Sequence, residues 1–216
     1  MSERTFLFAD LAGFTALTEA HGDVDAADVA ARFTELARAS LDPESALVKT
    51  IGDEAMIVSP DPLSATRTAL RLAAAVHEEE RFPGLRAGMH AGTCVERDGD
   101  YFGAAVNVAA RVAAHARSGQ ILCTRPVATA AGSLEEAEVR PAGRGHFKNV
   151  IEPVELFEIV DRNRESLDLE VDPVCHMRLE PATAPARLPY KDRIYLFCSF
   201  ECARAFAERP ETYAGA

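Results

Sequence analysis

Asn107 and Arg111 stand four residues apart in the run Asp100-Tyr-Phe-Gly-Ala-Ala-Val-Asn-Val-Ala-Ala-Arg111. Gly103 permits a turn, and the small residues of 104–114 predict a helix on which both polar side chains share one face. The rest of that face is Ala and Val, which suits close packing against a sheet. An amide and a guanidinium presented together can orient a ribose and hold an anionic phosphorus centre. Such a pair alone also fits a solvated helix face. Two carboxylates change its weight. Asp10 closes the apolar run Thr5-Phe-Leu-Phe-Ala9, read as a buried strand, and Asp53 lies in the tight connection Ile51-Gly-Asp-Glu54. Taken singly, Asp10 reads as a helix cap and Asp53 as turn chemistry. Together, at the ends of neighbouring strands, they offer hard oxygen ligands suited to magnesium or manganese. Beyond Asp10, Gly13 lets the chain approach a ligand closely, and the N–H groups of a helix entrance can hold phosphate oxygens.

A third group lies near the C-terminus. Cys198 and Cys202 flank Ser199, a good helix N-cap, and a thiol in a first helical turn is biased toward thiolate. Cys175 stands upstream in Asp172-Pro-Val-Cys-His-Met177.

A chain of 216 residues has room for one ordinary domain and a small appendage to position these groups. Apolar residues at 48% and charged ones at 26% are in the range of a soluble globular protein. The formal charge of −11 argues against general nucleic-acid or anionic-membrane binding, since both reward basic surfaces. No apolar run approaches a membrane span, and Met-Ser-Glu-Arg-Thr leads into a strand without a signal peptide's apolar core. Five cysteines, an odd number, point to thiols or metal ligands and a cytoplasmic location.

Apolar residues at helical spacing predict helices over residues 25–39 and 62–80. Strands are expected at residues 46–50, 55–58, 85–95, 120–124 and 154–159, the last closing the sheet, with two more around Pro141 and Gly143 within 136–148. His90 reads as a packed core histidine, and Cys94 and Cys123 as small buried hydrophobes. The alternation predicts an α/β or α+β sandwich, sheet on one side and helices on the other, followed by a charged linker at 161–170.

Residues 4–160 resemble the class III nucleotide cyclase catalytic domain. The resemblance is carried by Phe8-Ala-Asp10-Leu-Ala-Gly-Phe14, Lys49-Thr-Ile-Gly-Asp53, Gly88-Met-His-Ala-Gly92 and the run from Asp100 to Arg111, in that order. It implies a ferredoxin-like fold and an adenylate cyclase converting ATP to 3′,5′-cyclic AMP and pyrophosphate. Asp10 and Asp53, with the carbonyl of Leu11, would bind two Mg²⁺ or Mn²⁺ ions per site, one activating the ribose 3′-hydroxyl and one neutralising the triphosphate. N–H groups around Phe14 and Thr15 would cradle phosphates. Lys49 can donate to adenine N1 and Asp100 can accept from the N6 amino group, which favours ATP over GTP. Asn107 would orient the ribose and Arg111 would stabilise charge at the α-phosphorus. Lys148 resembles a triphosphate-contacting lysine, although Asn149 stands where the family usually has glycine. The family's geometry also implies a homodimer, with the metal aspartates from one protomer and Lys49, Asp100, Asn107 and Arg111 from the other. Gly52-Asp53-Glu54 is superficially similar to a diguanylate cyclase signature, but Ile51 and Ala55 depart from it. A guanylate cyclase, or a catalytically silent nucleotide- or metal-binding signalling protein, is the alternative.

Residues 171–216 resemble the YHS domain, related to heavy-metal-binding TRASH-type modules. The carrying residues are Asp172-Pro-Val-Cys175, Tyr195-Leu-Phe-Cys198-Ser and Cys202, with Phe206, Pro210 and Tyr213 in the tail. A Cys₃ set, or a Cys₃His set with His176 as fourth ligand, suits zinc or copper(I), and a metal would help hold so small a core together. The module would then be a regulatory input to the cyclase.

Overall fold

The first strand runs further than its apolar stretch in the computed structural model, which describes residues 2–148, 152–163 and 169–214. β1 (Ser2–Leu11) turns at Gly13, whose φ of +81° suits glycine, into α1 (Phe14–His21). α2 (Asp23–Ala39) leads to the hairpin β2 (Ala46–Ile51) and β3 (Glu54–Ser59), then α3 (Pro62–Glu78). Asp61 caps α3, accepting from the N–H groups of Leu63 and Ser64. β4 (Leu85–Arg97), β5 (Asp100–Phe102), α4 (Ala104–His115), β6 (Ile121–Thr124), α5 (Arg125–Ala131), β7 (Ala137–Gly145) and β8 (Val154–Asp161) complete the sheet and its helices.

The sheet order is β2-β3-β1-β4-β6-β8-β7, with β5 paired to β4. Only β4 and β6 are parallel; the other pairs are antiparallel. β1 and β4 lie at its centre, where alternation sends successive side chains to opposite faces. Leu7, Ala9 and Leu11 join residues of α2, α3 and α5 in one core. Phe6 and Phe8 join Met56, Val58 and the alanines Ala105, Ala109 and Ala113 of α4 in another. Helices therefore cover both faces, a departure from the expected one-sided sandwich. Nothing in an alanine-rich helix tells which side of a sheet it will cover.

Small residues let α4 approach β4 closely. A Cβ at Gly88 would overlap the backbone of Val112 and Ala113. Gly88→Ala is expected to destabilise the fold by about 1–3 kcal/mol, read as a lower urea midpoint. An unchanged midpoint would mean that α4 does not hold this position.

A second departure concerns residues 137–145, which form one strand, not two. Pro141, without an N–H, and Gly143, with a φ of +89°, shift the register against β8, and the ladder then resumes.

The C-terminal segment contains β9 (Glu170–Val171) paired with β10 (Arg178–Leu179), the hairpin β11 (Ala186–Tyr190) and β12 (Arg193–Phe197), then α6 (Phe200–Glu208) and α7 (Pro210–Tyr213). Its core centres on Phe197 and Phe206, whose rings lie 5.1 Å apart, with Tyr190, Tyr195 and Tyr213 around Phe206. That core is shared. Leu17 of α1 and Ala26 of α2 are buried in it. Arg178 adds a second contact, donating to the carbonyls of Val76 in the last turn of α3 and of Phe82 beyond it. Half of the expected linker, residues 164–168, lies outside the described residues.

Candidate active site and cysteine cluster

Asp10 continues the row of Phe6 and Phe8 on the α4 face of the sheet, opposite Glu54 on β3 and Arg86 on β4. Asp53, in the β2–β3 turn, lies close enough to Asp10 at the end of β1 for the two carboxyls to interact by hydrogen bonding and charge. Burial first, and then the hydrogen bond and charge of Asp10, push the Asp53 carboxyl up to about 7. Burial and the same charge raise Glu54. Arg86 answers this excess of negative charge by binding Asp10 through Nε and Nη2. Two touching carboxylates that draw in a guanidinium form a donor set that fits a hard divalent cation.

The pH dependence follows from the sign of the Asp53 shift. Its folded value, about 7, lies above the ordinary 3.8, so the folded chain holds this proton longer than the unfolded one. The stability of metal-free protein is therefore expected to fall as pH rises through that interval. Melting temperatures in chelator should show the slope for the native chain and lose it in Asp53→Asn. An identical slope in both would remove Asp53 from the account.

Lys49 and Asp100 meet although 51 positions separate them. Lys49 Nζ lies 2.5 Å from Asp100 Oδ2, and this contact, before any other, holds the Asp100 carboxyl below its ordinary range. A pocket of about 200 Å³ beside them is lined by Phe8, Met56, Ile51, Glu54, Lys49 and Asn107, among others. A larger cavity, about 610 Å³, lies between the end of α3 and residues 169–185 and carries none of these groups. Asn107 is exposed and Arg111 half-buried on α4. Among the described residues, no hydrogen bond or ion pair joins Lys49, Asp100, Asn107 or Arg111 to Asp10 or Asp53 within the chain. Phe14 and Thr15 open α1, where first-turn N–H groups have no helical partner. Lys148 is exposed just past β7, and Asn149 lies outside the described residues. Glu54 and Arg86 are members of this cluster that the motifs did not single out; they join it through the register of β3 and β4 on β1, which no local pattern marks.

His90 is half-buried, with Nδ1 2.7 Å from Thr124 Oγ1, and burial lowers its pKa. Cys94 and Cys123 are buried.

The second cluster is at the C-terminal segment. Cys175, Cys198 and Cys202 are buried and face one another, with Sγ–Sγ separations of 3.4 Å for Cys175–Cys198 and 3.8 Å for Cys198–Cys202. Hydrogen bonds from Cys175 and Cys198, helped by Ser199 at the α6 N-terminus, hold Cys202 far below the ordinary thiol range. Asp172 is fully buried and organises the backbone here. Its Oδ1 accepts from Val174 N–H at 2.8 Å, and its Oδ2 from Cys198 N–H at 2.7 Å. The imidazole beside the thiols is not that of His176. It is His21, the last residue of α1, with Nε2 3.5 Å from Cys198 Sγ and 3.7 Å from Cys202 Sγ. His176 adopts a left-handed φ of +61°, and its side chain lies against Gly13, where an added Cβ would sit 2.5 Å from His176 Cβ. The backbone turn swings it away from its neighbour Cys175. Sequence spacing could not have found His21, which lies 154 positions before Cys175.

Comparison with known proteins agrees with this division. The family model of the adenylate and guanylate cyclase catalytic domain matches residues 1–151, and that of the YHS domain matches residues 171–216. The chain is 40% identical over 158 residues to the pH-sensitive adenylate cyclase MT1302 of Mycobacterium tuberculosis, covering 72% of this chain and 40% of that protein. It is 39% identical over 116 residues to an adenylate cyclase of Streptomyces griseus, covering 53% of this chain and 29% of that one. The chain thus spans well under half the length of these relatives. Among solved structures, the adenylate/guanylate cyclase/hydrolase from Silicibacter pomeroyi superposes with a TM-score of 0.63 at 29% identity, over 73% of this chain and 96% of that one. The adenylyl cyclase CyaB from P. aeruginosa shares the fold at a TM-score of 0.64 and 21% identity, over 76% and 96% of the two chains. No helix among the described residues is long and apolar enough to cross a membrane.

Proposed function

The chain belongs to the adenylate and guanylate cyclase catalytic domain family, and on that premise we propose that it converts ATP to 3′,5′-cyclic AMP and pyrophosphate in a homodimer. The observation that carries the choice of base is the Lys49–Asp100 pair. It sets a cationic donor beside an anionic acceptor, the arrangement adenine N1 and N6 require; guanine would turn a carbonyl toward the carboxylate.

Asp10, Asp53 and the Leu11 carbonyl are the groups that would hold divalent cations, which supply charge neutralisation and ease loss of the 3′-hydroxyl proton. Arg86 pairs with Asp10 in the metal-free chain and would have to give up that contact for Asp10 to hold a cation. The free N–H groups of Phe14 and Thr15 bind phosphate oxygens at the positive end of α1. Asn107 orients the ribose so that O3′ faces the α-phosphorus in line with the departing pyrophosphate. The O3′–P bond forms as the bond to the pyrophosphate oxygen breaks, and Arg111 compensates the charge on the equatorial oxygens. Lys148 is placed in the role of a triphosphate contact.

Lys49 and Asn107 border one pocket, while Asp10 and Asp53 have no polar link to them. A two-fold partner brings the two halves together. Exposed Ile51, Val95 and Phe102, at 67%, 44% and 53%, lie near this face and supply apolar surface for such a contact. Five free thiols suit a reducing cytoplasm. Residues 161–170 serve as the junction between the cyclase domain and the module.

The test is cyclic AMP formation from ATP and manganese by the purified chain, beside Asp53→Ala. Product that disappears in the variant supports the reading. No product from a folded, dimeric native chain sinks it in favour of a silent signalling protein, and preferential use of GTP would make it a guanylate cyclase.

A further inference from the structure

The thiol cluster has the dimensions of a filled tetrahedral site. An ion holding sulfur at about 2.3 Å and nitrogen at about 2.0–2.1 Å would separate two sulfurs by about 3.8 Å, and sulfur from nitrogen by about 3.5 Å. Four of the six separations match this closely, at 3.4 Å for Cys175–Cys198, 3.8 Å for Cys198–Cys202, and 3.5 and 3.7 Å from His21 Nε2 to Cys198 and Cys202. All four donor atoms lie within 4.8 Å of one another. Three buried cysteines of the C-terminal module and one imidazole at the end of α1 converge on one point.

His21 is the only one of the four donors outside the C-terminal module. It ends α1, whose first residues are Phe14 and Thr15, one eight-residue helix away. The module touches the other end of α1 as well, through the His176 side chain against Gly13. Leu17, midway along the helix, is buried in the module's core. The module therefore grips α1 at its start, middle and end.

We propose that His21, Cys175, Cys198 and Cys202 form a four-coordinate Cys₃His zinc site across the junction, and that its occupancy fixes α1 and the turn at residues 11–15 that begins it. A free module would carry three thiolate ligands and an open position; docking on α1 closes the site. Metal loss releases one anchor of the helix whose opposite end carries the phosphate-binding N–H groups. The metal site stands independently of the cyclase reading, whereas its effect on phosphate binding rests on that reading.

The experiment uses the full-length chain, stripped with chelator and reloaded with zinc or cobalt(II) in excess magnesium. One zinc per chain is expected, with the intense visible absorption of tetrahedral cobalt and a sulfur-to-cobalt charge-transfer band. His21→Ala, at a half-exposed helix end, is expected to weaken zinc at least tenfold and to dim the visible bands as water takes the fourth position. His21→Gln, which keeps the polarity of the position, should do the same, and circular dichroism checks both folds. His176→Ala should retain affinity and spectrum. Unchanged binding in both His21 variants, or loss on removal of His176 in its place, overturns the assignment. Hydrogen exchange of residues 14–21 reads the coupling without any nucleotide turnover. Zinc should slow it in the native chain and not in His21→Ala. Zinc that binds at full stoichiometry without slowing α1 overturns the coupling, and neither result depends on whether the chain makes cyclic AMP.

Discussion

Equimolar mixing of Asp53→Ala and Arg111→Ala, each inactive alone, is expected to restore about a quarter of the native rate of cyclic AMP formation. Asp53 sits on the β2–β3 turn and Arg111 on α4, with no polar contact joining them within one chain. If each site takes its carboxylates from one protomer and its arginine from the other, a mixed dimer has one site with both residues intact and one with neither. Random exchange makes about half the dimers mixed, each with one working site of two. On the proposed reading, each variant alone loses a group needed at every site: the carboxylate proposed to hold a cation, or the guanidinium proposed to face the α-phosphorus. Removing one such electrostatic group costs about 10²–10³ in rate or more. The measurement is product formation after subunit exchange, with differently tagged chains verifying that mixed dimers form. Mixed dimers without activity would mean that both residues serve the same site from one chain.

Asp172→Ala is expected to unfold the C-terminal module while leaving the cyclase sheet intact. Asp172 is fully buried, and its two oxygens hold the N–H groups of Val174 and Cys198, the latter belonging to a proposed ligand. Removal leaves these donors buried without acceptors, at about 1–3 kcal/mol each. Burial raises the Asp172 carboxyl above its ordinary range, so removing the charge returns part of that cost. The lost acceptors outweigh it, because the module is small and its core has few residues to share the loss. Limited proteolysis should cut within residues 170–214 of the variant and spare the native chain. Asp172→Asn, which keeps one acceptor oxygen, should fall between them. Equal protease resistance in all three would make Asp172 a bystander.

Residue types and local spacing determined much of this protein. The apolar run before Asp10, the hairpin around Asp53 and the helical spacing of Asn107 and Arg111 are short-range patterns, and the structure bears out the elements that carry them. The pairing of Lys49 with Asp100 was anticipated only through the family resemblance, since 51 intervening residues leave no local signal. Ser199 was legible as a cap because its bond to Cys202 N–H spans three residues. What tertiary structure alone decided is where elements meet. Alanine-rich α4 carried no mark of which sheet face it would cover. Arg86 became a partner of Asp10 only through the register of β4 on β1. His176, next to a ligand in sequence, is turned aside by its own backbone toward Gly13, while His21 reaches the thiols because α1 packs into the module's core. Side-chain direction and long-range packing fix a coordination shell, and neither is encoded in spacing along the chain.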